Sequence, residues 1–276
     1  LNTYEIVKIF NNNVVLAKRE NTEYILIEKG LGFGRKKGDI IENNRFEKVF
    51  ILEKDINERF KELTKNIESE IVGVCEEVIG LVSKEFEILD REIHIKLVDH
   101  IAFAIKRIKE NDEIENPFTT EIEALYEKDY EVAKKAVELI EKRLDIEVPE
   151  GEIGFIALHI NAAKNRQGIS ETIKCAYICN SITEILEDEL KIDINRHSID
   201  YARFVTHIKF AVHRIKNKIP IKNELKSAIK RKYKEAYNIG KLVAKFMENE
   251  LGEKISEDEI TYLAMHIEKL KNKSVY

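Results

Sequence analysis

Val98-Asp99-His100-Ile101-Ala102-Phe103-Ala104 returns 107 residues later as Val205-Thr206-His207-Ile208-Lys209-Phe210-Ala211, and this recurrence decides how the chain is divided. The register continues from Arg107-Ile108-Lys109 to Arg214-Ile215-Lys216. Farther on, Tyr126 and Tyr130 match Tyr233 and Tyr237, and Glu152-Ile153 with His159-Ile160 match Glu259-Ile260 with His266-Ile267. Apolar residues recur at helical spacing throughout both segments. A register kept across several helices without an insertion predicts two copies of one all-α bundle of ordinary domain size, 65–169 and 170–276, meeting near Gly168–Ser170.

Ahead of the repeat the pattern changes from helical to β-like. Tyr4–Phe10, Val14–Lys18, Glu23–Ile27 and Phe46–Leu52 are short runs rich in β-branched and aromatic residues, separated by Asn11-Asn12-Asn13, Glu20-Asn21 and the glycine-bearing stretch Gly30–Asp39. Residues 1–54 are therefore read as a small all-β domain with an antiparallel sheet of four strands. So small a sheet buries little surface, which makes dimerisation through one face a natural stabiliser. The charged run Lys54–Thr64 reads as a helix, and a continuous helix there would couple the sheet to the first bundle.

The chain of 276 residues is 43% hydrophobic, enough for two or three cores, and has no apolar stretch long enough to span a bilayer. Its start reads as strand rather than leader, so a cytoplasmic protein without membrane insertion is expected. Cys75, Cys175 and Cys179 lack the spacing of a zinc site and read as idle thiols in a reducing compartment. The net charge is −5, yet residues 1–54 carry 10 Lys and Arg against 8 Asp and Glu, leaving −7 for the rest. The net charge argues against a general nucleic-acid binder, and the asymmetry places any RNA contact at the front. Pro149-Glu150-Gly151-Glu152 and Ser256-Glu257-Asp258-Glu259 mark helix starts, the second as a capping box in which Ser256 and Glu259 satisfy backbone amides reciprocally.

Of seven histidines, His100 and His207 occupy one matched position, and His159 and His266 another. A single histidine in an apolar helix is usually a packing residue; two matched pairs, each 59 residues apart, point to a site where two helices meet. Metal ligation, an acid–base pair and phosphoryl acceptance all fit. No metal-binding partners at helical spacing are evident, and no nucleophile or phosphate loop accompanies the pairs. A neutral imidazole is a competent phosphoryl acceptor near pH 7, and the phosphate would add about two negative charges at a helix surface. His94, His197 and His213 have no histidine counterparts.

In the β module, the amides of Asn11 and Asn13 can read base edges, and an exposed Phe33 can stack on a base. Lys8, Lys29 and the Arg35–Lys37 run can meet phosphates. Gly30 lets a backbone approach closely. The same residues would equally serve two plain turns and a solvated basic loop.

Together, Asn11-Asn12-Asn13-Val14, Lys29-Gly30-Leu31-Gly32-Phe33, Asp99-His100, Gly154-Phe155-Ile156-Ala157-Leu158-His159, Thr206-His207 and Met265-His266 resemble the BglG/SacY-type transcriptional antiterminators over essentially the whole chain, nearest the glucose-responsive branch. The resemblance implies a coantiterminator RNA-binding domain that dimerises and clamps a leader-mRNA hairpin, so that an overlapping terminator cannot form. It implies two regulation domains of the sugar phosphotransferase system, with His100, His159, His207 and His266 as phosphate targets. A sugar-specific permease, glucose-type in this branch, would switch the first domain off when its sugar is absent, and HPr acts on the second domain in many relatives. Implied RNA contacts are Lys8, Asn11, Asn13, Lys29, Gly30 and Phe33. No cofactor, metal or catalytic residue is implied. The chain departs from the pattern at Glu28-Lys29, where many relatives have glycine then arginine, so a forked contact becomes a point charge. Thr206 also stands where Asp99 precedes the first histidine, which predicts a different setting for His207. The rivals are a DNA-binding activator, which needs a helix-turn-helix at the front, and a metal-dependent helical enzyme.

Overall fold

The computed structural model describes residues 3–42, 45–112 and 114–271. Two compact units divide the chain: residues 1–117 with 128–169, and residues 118–127 with 170–276.

The first unit opens with five strands, β1 (Thr3–Ile9), β2 (Val14–Arg19), β3 (Thr22–Ile27), β4 (Ile40–Glu42) and β5 (Lys48–Leu52), in the antiparallel order β4-β1-β2-β3-β5. The expected runs form four of them; β4 lies outside those runs. Its three residues bury only Ile41, too short a run for alternation to register. Side chains alternate across the pleat. Tyr4, Ile6, Val15, Ala17, Leu26, Leu31 and Ile41 cluster on one face, where Tyr4 meets Tyr24 and Phe46 edge-on at 5.3 and 5.6 Å. Val14 and Leu16 point the other way and are also buried.

That second face is covered within the chain by helices α1 (Lys54–Leu63) and α2 (Ser69–Glu85). Phe60 of α1 packs edge-on against Phe10, and α2 lies along β2 and β3. The helix expected over Lys54–Thr64 forms as α1 and ends before α2 begins. The Thr64 hydroxyl bonds back to the Phe60 carbonyl at 2.8 Å and closes α1. The bundle of this unit continues with α3 (Ile93–Lys109), α5 (Glu127–Leu144) and α6 (Glu150–Asn165).

In the second unit α4 (Thr119–Leu125) joins α7 (Ile169–Leu190), α8 (Ile199–Lys216), α9 (Lys226–Lys232), α10 (Lys234–Leu251) and α11 (Glu257–Lys271). Buried Glu121 of α4 accepts Arg196 Nη1 at 2.8 Å and the Tyr201 hydroxyl at 2.6 Å.

The repeat register survives in detail. Helices α4, α5 and α6 start 107 residues before α9, α10 and α11, and left-handed Asn111 and Asp145 recur as left-handed Lys218 and Gly252. A buried polar pair is exchanged between copies: His94 Nδ1 contacts Glu76 at 2.8 Å, where Tyr201 and Thr183 hydroxyls stand 3.4 Å apart. Only half of the capping box forms. Ser256 Oγ accepts the Glu259 amide at 3.2 Å, but the Glu259 carboxylate turns to Arg214 instead of the Ser256 amide. A full guanidinium charge outcompetes one neutral amide.

All three cysteines are free and buried, and burial pushes the Cys75 thiol well up. None of the described helices is long and apolar enough to cross a membrane.

Candidate functional site

Two loops at one end of the sheet bring most of the expected RNA contacts together. Asn11 Oδ1 accepts the amides of Asn13 and Val14, each at 2.9 Å, and so ties the β1–β2 turn. Asn13 Oδ1 accepts the Gly30 amide at 3.0 Å and joins that turn to the glycine loop. Gly30 is left-handed, with φ +72°, and a side chain at Gly32 would run into the Asn11 carbonyl at 2.3 Å. Both positions thus demand glycine. The loop holds Phe33 out to solvent, 75% exposed, beside exposed Lys29. Lys8 is half-buried, its ammonium 5.3 Å from the Phe10 ring centroid. Asn11 departs from expectation: it is 7% exposed, and its Nδ2 donates to Glu77 of α2 at 2.8 Å.

In the first copy, α3 carries His100 and α6 carries His159, with ring centroids 4.7 Å apart and planes 31° apart. In the second copy, His207 of α8 and His266 of α11 lie closer, at 3.6 Å and 33°. The two sequence pairs are therefore spatial pairs. Glu152 sits two helical turns before His159 on the same face of α6, where Oε2 lies 3.1 Å from His100 Nε2 and Oε1 accepts Arg107 Nη2 at 2.7 Å. The His100 contact is at ion-pair distance but out of line for a hydrogen bond, and among the described residues neither atom has a hydrogen-bond partner. In the second copy Arg214 takes both oxygens of Glu259, through Nε at 2.6 Å and Nη2 at 2.9 Å.

This glutamate–arginine pair was visible in the sequence as part of the repeat, but its role was missed; the shared offset was the available signal. The expected contrast between Asp99 and Thr206 does not set the imidazoles apart. Asp99 is exposed, and the Thr206 hydroxyl returns to the Ala202 carbonyl at 2.7 Å. The difference lies in whether arginine leaves a carboxylate oxygen facing histidine.

Burial, then the neighbouring His100, holds His159 at a pKa of about 3, and burial with His207 holds His266 at about 4. His207 is lowered by burial and Arg214. Burial raises the Glu152 carboxyl, but His100 and Arg107 outweigh it and keep it below the usual range. Neutral imidazoles are the nucleophilic form. Among the described residues no group of three or more histidine, cysteine or acidic side chains is placed to hold a metal.

A pH dependence of stability follows. Unfolded imidazoles titrate near 6.5, so below that pH the unfolded state binds more protons than the folded one. The contribution is intact above 6.5 and is lost as the pH falls toward about 3 and about 4. Thermal midpoints should drop between pH 7 and pH 5, and the pair of substitutions His159→Phe and His266→Phe should flatten that slope, by at most ~1.4 kcal/mol per pH unit for each histidine. An unchanged slope in the double variant would assign it to other groups.

Family models place a CAT RNA binding domain at residues 4–59 and a PRD domain twice, at 74–163 and 180–270. The chain is 35% identical to "Protein GlcT" of Staphylococcus saprophyticus over 97% of both chains. It is 34% identical to "Transcription antiterminator LicT" of Bacillus subtilis, covering 96% of this chain and 98% of that one. To the "PtsGHI operon antiterminator" of Bacillus subtilis it is 36% identical over 98% of each. The crystal structure of GlcT CAT-PRDI aligns with a TM-score of 0.50 and 39% identity, covering 59% of this chain and 98% of that one. With a CAT RNA binding domain followed by two PRD domains, and relatives at 34–36% identity over nearly its whole length, the chain belongs to the transcription antiterminators that couple a CAT RNA-binding domain to two PRD domains.

Proposed function

We propose that this chain is a cytoplasmic, homodimeric antiterminator that binds a leader-mRNA hairpin through Lys8, Asn11, Asn13, Lys29, Gly30 and Phe33. Phosphoryl groups accepted at His100, His159, His207 and His266 control it. The observation that carries the reading is the meeting of each histidine pair across two helices of its own bundle, at 4.7 and 3.6 Å. Both later members of the pairs are held neutral by burial. A phosphate at such a contact adds about two negative charges where rings had met, and so favours separation of the helices or recruitment of a cation.

Its partners are the hairpin, a sugar-specific permease of the glucose type acting on the first copy, and HPr acting on the second. The chain itself catalyses nothing in this scheme; the phosphotransferase proteins supply the transfer. We place the functional domains at 1–54, 65–169 and 170–276.

The test uses the leader RNA of the ptsGHI operon, the target named for one relative. Binding is measured before and after treatment with a phosphoenolpyruvate-driven phosphotransferase mixture, and mass spectrometry locates acid-labile phosphate. Binding that falls as phosphate appears on His100 or His159 supports the proposal; phosphate on none of the four histidines, or no change in binding, rejects it. Phe33 has almost no packing to lose, so Phe33→Ala should leave the fold intact and weaken hairpin binding at least tenfold, the loss of one stacked base. Equal affinity would remove the ring from the interface.

A further inference from the structure

Helix α2 carries two glycines, Gly73 and Gly80, in its interior. Each weakens an isolated helix by about 1 kcal/mol relative to alanine, so a close approach must offset the loss. The sheet makes that approach. A Cβ on Gly73 would sit 2.5 Å from Asn11 Nδ2 and 2.9 Å from Asn11 Cβ, and one on Gly80 would sit 3.1 Å from Ile27 Cδ1. One turn beyond Gly73, Glu77 receives Asn11 Nδ2 on Oε1 at 2.8 Å and Asn13 Nδ2 on Oε2 at 3.2 Å. Arg143 of α5 holds the same carboxylate through Nε at 3.0 Å and Nη2 at 2.6 Å. Lys48 adds a bond to the Ser83 carbonyl at 3.0 Å, and Lys84 pairs with Glu47.

The second copy shows that these features are not generic to the bundle. At the offset of 107, Gly73, Gly80 and Arg143 become Asn180, Glu187 and Glu250, whereas Glu77 is retained as Glu184. There the glutamate is exposed and, among the described residues, receives its own helix's Asn180 at 2.9 Å. The glycines and the arginine clamp occur only in the copy whose helix meets the sheet.

We propose that α2 is a built-in competitor for the RNA: the Glu77 carboxylate occupies the amide donors of Asn11 and Asn13, and the hairpin binds fully only when this contact opens. This rests on the reading of those asparagines as RNA contacts. The chemistry matches, because a carboxylate offers acceptors alone, as do phosphate oxygens and several base-edge atoms. RNA and Glu77 also exclude each other by charge, since phosphates brought to the asparagines would face an anion that is 9% exposed. Phe33 and Lys29 remain outside the contact, leaving part of the interface open for a first, weak encounter.

The experiment measures affinity of the full chain for the ptsGHI leader hairpin in four forms: unaltered, Glu77→Ala, Gly73→Ala and Asn13→Ala. Glu77→Ala frees both amides and leaves Arg143, 38% exposed, to water, so the bundle should fold. It should bind about tenfold more tightly. Gly73→Ala separates the same surfaces by bulk while favouring the helix, and should also tighten binding; it serves if the first variant does not fold. Asn13→Ala should weaken binding about tenfold. Affinity that is unchanged or lower in both α2 variants overturns the competition, and if Asn13→Ala still weakens binding, the asparagine reading survives that failure. No effect from any variant removes both.

Discussion

Arg107→Met is expected to destabilise the first copy by about 3 kcal/mol, lowering its melting midpoint by roughly 6–12 °C. The reason is the charge left behind. Glu152 is 2% exposed and Arg107 6%, so removal of the guanidinium strands a carboxylate that water reaches poorly. Methionine replaces much of the packing over Phe103, whose ring lies 5.3 Å from the guanidinium carbon, so the loss reports mainly on charge. Glu152→Gln added to Arg107→Met should recover most of the stability, and the deficit should shrink as acidification neutralises the carboxyl. Arg214→Met should cost less, because Arg214 is 23% exposed and solvent can screen Glu259. Melts of the three variants and the unaltered chain at pH 7 and pH 5 check this; a large loss that Glu152→Gln does not repair would locate it in packing.

The second large effect is on regulation. Replacing His100 and His159 together with alanine should give antitermination without the inducing sugar, with reporter expression within about twofold of the induced level. Phosphate on His100 would arise beside Glu152, whose Oε2 stands 3.1 Å from Nε2. Two anions that close in a partly buried site repel strongly. The second copy meets the same insult differently, since both Glu259 oxygens are bound by Arg214. The matched pair His207→Ala and His266→Ala should therefore leave sugar dependence largely intact. Reporter assays with and without the sugar decide it, and retained dependence in the first double variant would reject the inhibitory assignment of that pair.

Much of this was open to reading from residues in order. The offset of 107 announced two bundles, because matched side chains at one fixed spacing specify one fold twice. The asparagine turn and glycine loop were legible for a similar reason: left-handed and closely approached positions demand particular residue types. The histidine pairs could be named, since matched positions in two copies are a sequence property.

Sequence by itself thus determined the order of domains, the repeat and the identity of the residues in play. Tertiary structure alone decided who touches whom. Asn11 and Glu77 are 66 residues apart, and no local pattern distinguishes an asparagine awaiting RNA from one already holding a carboxylate. Likewise Glu152 and Glu259 are the same residue in the same register, yet one leaves an oxygen facing histidine and the other gives both to arginine. A hydrogen bond depends on direction and on distances of a few tenths of an ångström. Those are set by how helices pack, and periodicity along the chain does not encode them.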